Sequence, residues 1–155
     1  PASIGFLNAI KNSESIIYGA GTPYSSLLPS LELKGVADSI KDAECKKILV
    51  VNLSKETSNT LFVTDILDSL IKYLFRSFSD KSNFNPQDFV THIIVPNEIS
   101  KDINFGDSIK LDELEIKKRF KWIKIIQADI RDSKNLSQHD GSKLKDCLIK
   151  IMSND

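Results

Sequence analysis

Ile48-Leu49-Val50-Val51 is an unbroken run of β-branched and aliphatic side chains, closed by Asn52. A strand with one wet face alternates apolar and polar residues. A run without polar interruption belongs to a strand covered on both faces, as in a parallel sheet between helices. Working outward, His92-Ile93-Ile94-Val95 repeats the pattern and ends at Pro96. Trp122 to Gln127 repeats it downstream, and Ser15-Ile16-Ile17-Tyr18 repeats it upstream, stopped by Gly19-Ala20-Gly21. Helical spacings fill the intervals. Ile4, Leu7 and Ile10 predict a helix over about 3–12, and Gly35 to Ala43 a short one. Val63, Ile66, Leu67, Leu70, Ile71 and Leu74 form one wide apolar stripe, with Asp68 and Lys72 expected to pair on the wet face. Leu111 to Phe120 holds a short helix, and Ser142 to Met152 a closing one. The prolines at 23 and 29 mark a loop, Lys55 to Thr60 a turn, Ser77 to Asp88 a surface loop, and 97–111 a long excursion. Strands alternating with helices predict an α/β fold with a mostly parallel sheet and right-handed crossovers.

Composition limits what such a fold does. The 155 residues are 41% hydrophobic and 27% charged, with 21 basic side chains against 21 acidic ones. A net charge of zero excludes whole-surface attraction to nucleic acid or anionic membrane. The one basic cluster, Lys117 to Arg119 with Lys121 and Lys124, follows Asp112, Glu113 and Glu115 and reads as a solvated helix end. No apolar run is long enough for a membrane helix. Cys45 and Cys147 form no CxxC pair, so a disulfide framework and a zinc site are not expected; reduced thiols in a cytoplasmic protein are. The opening Pro-Ala-Ser-Ile-Gly has no signal-peptide pattern, and a chain that starts on Pro1 and enters a helix at once reads as an excised piece.

In parallel sheets, ligands bind beyond the carboxyl ends of the strands. After the first strand come Gly19-Ala20-Gly21-Thr22-Pro23-Tyr24-Ser25-Ser26. Bare backbone N–H groups at Gly19 and Gly21, with the hydroxyls of Thr22 and Ser25, suit a phosphate; a plain strand-ending turn is the other reading. The stretch is neither a Walker loop nor a GxGxxG fingerprint. Tyr24 stacks on a base or packs against the fold. Asn52 offers an amide to a ribose or phosphate, or starts an Asx-turn. Asp65 serves a ligand, or the dipole of its helix. Asp129 orients a ligand or magnesium, or occupies an ordinary turn. Asp140 stands where the last helix needs its N-cap. His92 reads as a packed strand residue.

The same stretch carries a resemblance. Ile17 to Leu31, continuing to Gly35-Val36-Ala37, is similar to the GPGSLYTSILPNL…GI segment of the gluconeogenesis factor and 2-phospho-L-lactate transferase family (the YvcK/CofD group). Val50-Val51-Asn52-Leu53 resembles the strand ending in CNL that precedes a loop and an acidic helix start, here Asp65. Ala128 to Asp132, then His139-Asp140 to Leu148, resemble the ADLV…HDPEKLA terminus. Ala20 stands in place of the family's proline, Thr22-Pro23 in place of Ser-Leu, and Ile66 in place of its histidine; Ser54 to Asn59 lacks the loop's glycine.

What the resemblance implies is a Rossmann-like α/β protein with a cleft for a phosphorylated ligand. The implied ligand residues are Gly19, Gly21, Thr22, Tyr24, Ser25, Asn52 and Asp65. In the gluconeogenesis factor branch the ligand is a nucleotide sugar and the role is regulatory, in carbon metabolism. In the transferase branch a phospho-group moves with magnesium; otherwise no cofactor is implied. The family's glycine-triplet loop is missing, so residues 1–155 are expected to be the C-terminal lobe, unaccompanied by the N-terminal one. Such a lobe is expected to form a homo-oligomer.

Overall fold

The computed structural model describes residues 2–21, 23–53, 62–97 and 109–153. Four strands form one sheet: β1 (Ser15–Tyr18), β2 (Lys46–Val50), β3 (His92–Pro96) and β4 (Lys124–Ala128). Their spatial order is β1-β2-β3-β4, and every neighbouring pair is parallel. The unbroken apolar run sits where it has to: Ile48, Leu49, Val50 and Val51 are all at most 2% exposed, in a strand with neighbours on both sides.

Side-chain alternation divides the core into two layers. Leu49, Ile93 and Val95 point to one face, where they meet Leu28 of α2 (Leu28–Leu31), Ile40 of α3 (Val36–Asp42), and the stripe of α4 (Val63–Ser77). Ile116 of α5 (Glu113–Arg119) and the flanking Leu7 and Ile10 of α1 (Ile4–Lys11) join the same layer. Ile48, Val50 and Ile94 point to the other face, where among the described residues they cluster with Leu53, Ile130 and, from α6 (Gly141–Ser153), Leu144, Cys147, Leu148 and Ile151.

Tyr18 ties β1 into the first layer. Its hydroxyl donates to the Phe89 carbonyl at 2.8 Å, and burial pushes the phenol's pKa up, so it stays a protonated donor.

The predicted elements recur with shifted ends, and three details differ. The segment with two prolines is helical, a π-turn over Pro23–Leu27 running into α2. Pro29 lies in the first turn of α2, where a missing N–H breaks no helical bond. Pro96 is the last residue of β3, paired with Ala128, rather than a stop before it. Asp68 pairs across to Arg119 and not with Lys72. The turn at Lys55 to Thr60 lies outside the described residues, as does most of the 97–111 excursion. Among the described residues no helix is long and apolar enough to cross a membrane.

Candidate functional site at the carboxyl ends of the strands

Parallel strands place all four carboxyl ends on one side, so Gly19, Asn52, Asn97 and Asp129 each follow a strand at the same rim. The turn after β1 and the end of β2 are bonded together: Asn52 Nδ2 donates to the Gly21 carbonyl at 3.2 Å. The amide nitrogen thus braces the turn and leaves Oδ1 as the group a ligand could use.

Neither Gly19 nor Gly21 has a positive φ, since Gly35 is the glycine with that conformation among the described residues. Their value is therefore steric. A Cβ at Gly19 would meet nothing within 4 Å, and one at Gly21 would meet only the Ser26 side chain, from 3.4 Å. Both leave exposed backbone that an anion can approach.

Tyr24 and Ser25 follow in the π-turn, both exposed. The Tyr24 hydroxyl lies 3.0 Å from Ser69 Oγ, which fastens the turn to α4. Thr22 lies outside the described residues.

Asp65 is engaged at its own helix start. Its Oδ2 accepts from the Phe62 backbone N–H at 2.8 Å, which satisfies a donor near the first turn of α4. Neighbouring Thr64 donates through its hydroxyl to Asp112, so the entrance to α4 is held by two carboxylates. The family resemblance assigned Asp65 to the site; the structure brings Gly19, Gly21, Tyr24, Ser25 and Asn52 to one rim and gives Asp65 a local bond.

The other end of the rim carries groups that sequence reasoning passed over. A cavity of about 290 Å3 opens between the ends of β3 and β4, lined by Asn97, Asp129, Arg131, Ser133 and Lys143 among others. Arg131 is 9% exposed and donates to the Leu136 carbonyl at 2.7 Å; Lys143 Nζ sits 2.8 Å from Asp129 Oδ2 and 3.2 Å from the Arg131 carbonyl. The bond to Asp129 raises the lysine's pKa. Lys143 was findable in principle, because it lies three residues past the N-cap Asp140 and so returns over the strand end. Asp140 does cap α6, accepting from Ser142 and Lys143 N–H groups at 2.9 and 3.1 Å.

Both histidines have local hydrogen-bond partners. His139 Nε2 lies 3.2 Å from the Val51 carbonyl, and burial, reinforced by the Arg131 charge, holds its pKa below the ordinary value despite that bond. His92 Nδ1 meets Thr91 Oγ1 at 2.8 Å, and burial next to Lys124 and Lys46 lowers its pKa as well. Among the described residues no three His, Cys, Asp or Glu side chains gather as a metal cage. Asp65 accepts from a backbone N–H and Asp129 pairs with Lys143, each through Oδ2.

The rim can be set beside known proteins. The family model described as 2-phospho-L-lactate transferase CofD matches residues 1–131. The gluconeogenesis factor of Listeria innocua is 22% identical over 150 residues, covering 96% of this chain and 44% of its own. That of Bacillus subtilis is 25% identical over 150 residues, covering 94% and 45%. A solved structure of a Bacillus halodurans protein of the UPF0052 family superposes with a TM-score of 0.77 at 19% identity, over 95% of this chain and 46% of that one. It shares the Rossmann-like α/β fold. This chain therefore spans less than half the length of these relatives. With the family model matched over most of its residues, the chain belongs to the 2-phospho-L-lactate transferase CofD family.

Proposed function

We propose that the turn from Gly19 to Ser26, braced by Asn52, contacts the phosphates of a nucleotide sugar or similar phosphorylated small molecule. The role we assign is regulatory, in carbon metabolism, as the name of the gluconeogenesis factors implies for those relatives. The single observation that carries the reading is the Asn52–Gly21 bond, which ties the turn with its two exposed glycines to the end of β2 at the strand rim. The backbone N–H groups of Gly19 and Gly21 meet an anion there without a side chain of their own in the way, and the Ser25 hydroxyl adds a donor. Phospho-group transfer is the alternative that the family model's description raises.

Calorimetric titration with UDP-glucose and with inorganic pyrophosphate tests this. Gly21→Val is expected to weaken binding about tenfold or more by filling the approach to the backbone, with folding retained by circular dichroism. Equal affinity in the folded variant removes the turn from the site. Product release from the nucleotide sugar at catalytic rates would favour the transferase reading.

A further inference from the structure

Among the described residues β4 is an edge of the sheet, and a groove of about 510 Å3 runs between it and α6. Strand parity sets its floor. Lys124, Ile126 and Ala128 share one face of β4, where Ile126 and Ala128 pack with Cys147 against the smaller core cluster. Ile126, Ala128 and Cys147 are only half-buried, so the seam between strand and helix is open to solvent. At about 3.3 Å per residue, the floor from Lys124 to Ala128 runs about 13 Å.

Charge is distributed unevenly along this groove. The helix starts at the carboxyl rim, where Lys143 meets Asp129, and ends near the amino ends of the strands, where Lys46 donates to the Ile151 carbonyl. Both carboxylates that line the groove are matched, Asp129 by Lys143 at 2.8 Å and Asp146 by Lys145 at 3.3 Å. Lys124 and Lys150 line the end away from the rim; both are exposed, and neither has an ion pair among the described residues. His92, in register with Lys124, feels the surplus: burial lowers its pKa, and the charges of Lys124 and Lys46 lower it further. The groove thus joins an apolar floor to an unneutralised positive end.

We propose that this groove binds an amphiphilic carboxylate. Its hydrocarbon body lies along Ile126, Ala128 and Cys147, and its carboxylate is held by Lys124 and Lys150. Burial of the chain supplies affinity, and the two lysines select against neutral and cationic analogues of the same length. The assignment is independent of the phosphate reading, because it uses neither the Gly19 to Ser26 turn nor Asn52.

Cys147 supplies the readout, since it lines the groove while Cys45 lies between α3 and β2. The chain is alkylated with iodoacetamide and the rate at each thiol is followed by peptide mass spectrometry. Decanoate is expected to slow alkylation at Cys147 and leave Cys45 unchanged. Decanol should need about fivefold more for the same protection, and decylamine should give none. In Lys124→Gln combined with Lys150→Gln, decanoate and decanol should protect equally, with decanol acting as it does on the parent chain, which shows that the groove is intact. Amide shifts should move at Lys124 to Ala128 and at Cys147 to Ile151. Absence of protection by decanoate below its micelle concentration would overturn the proposal, as would equal protection by decylamine. So would a preference for decanoate that survives the double variant, or shifts confined to other elements. A failed titration with UDP-glucose bears on the rim alone.

Discussion

The two faces of the sheet use alternate residues of the same strands, yet they are closed by very different means. On one face, five helices cover Leu49, Ile93 and Val95, and a cluster of Phe78, Phe84 and Phe89 packs edge-on and stacked at one end. On the other, α6 is the one helix among the described residues that covers Ile48, Val50 and Ile94, and Ile17, Ile149 and Met152 stay exposed around it. Burial of apolar area is what stabilises an α/β layer, so the first face supplies most of the folding energy. The second buries a smaller apolar cluster, with Ile130 and Ile151 beside those strand residues, and adds specific bonds: the Asp140 cap, the His139–Val51 contact, and Lys46 Nζ on the Ile151 carbonyl at 2.9 Å.

The comparison breaks most visibly at Leu67, fully buried in the α4 stripe of the first face. Leu67→Ala is expected to lose about 2–5 kcal/mol, measured by urea denaturation, because cavity and transfer terms add. A smaller loss would mean that the first face is not the main store of stability. Next comes Gly35, whose φ of 92° is left-handed and whose added Cβ would lie 3.0 Å from Leu7 Cδ1. Gly35→Ala should cost about 1–2 kcal/mol by straining the start of α3 against α1. On the second face, Asp140→Ala removes the cap of α6 and should cost about 1 kcal/mol. Hydrogen exchange should place that loss in α6 and leave α4 untouched.

The smallest effect is a pH dependence. His139 has a folded pKa depressed below its unfolded value, chiefly by burial, so the folded state disfavours its protonated form. Its contribution to stability is full above the unfolded value near 6.5 and is lost as pH falls through that value toward the lower folded one. Unfolding scans from pH 8 to pH 5 should therefore show declining stability, and His139→Gln should flatten part of the slope. An unchanged slope would show that the ring's burial is not felt.

Much of this architecture was legible before any coordinates. Strands without polar residues announced a two-sided sheet, and the three-and-four spacing of Val63 to Leu74 announced α4, because burial imposes both patterns directly on the sequence. What stayed hidden depended on distance rather than period. Asp68 reaches Arg119 across the fold, a choice invisible next to the obvious Lys72. The π-turn at Pro23–Leu27 was hidden because two prolines read as a loop, although a first-turn proline is compatible with a helix. At the rim, Gly19, Gly21 and Asn52 could be placed from the strand ends, but the bond between Asn52 and Gly21 joins positions thirty-one residues apart. Lys143 and Arg131 escaped notice because their meeting depends on how α6 returns over β4.

The central claim is that the phosphates of the ligand meet the turn after β1 rather than the cavity after β4. Amide chemical-shift mapping during titration of the chain with UDP-glucose addresses it most directly. The account predicts the largest, saturable shifts at Gly19, Ala20, Gly21 and Asn52, with those of Asp129 to Ser133 near zero. Shifts concentrated at Asn97 and Asp129 to Ser133, with the Gly19 turn unmoved, would contradict it.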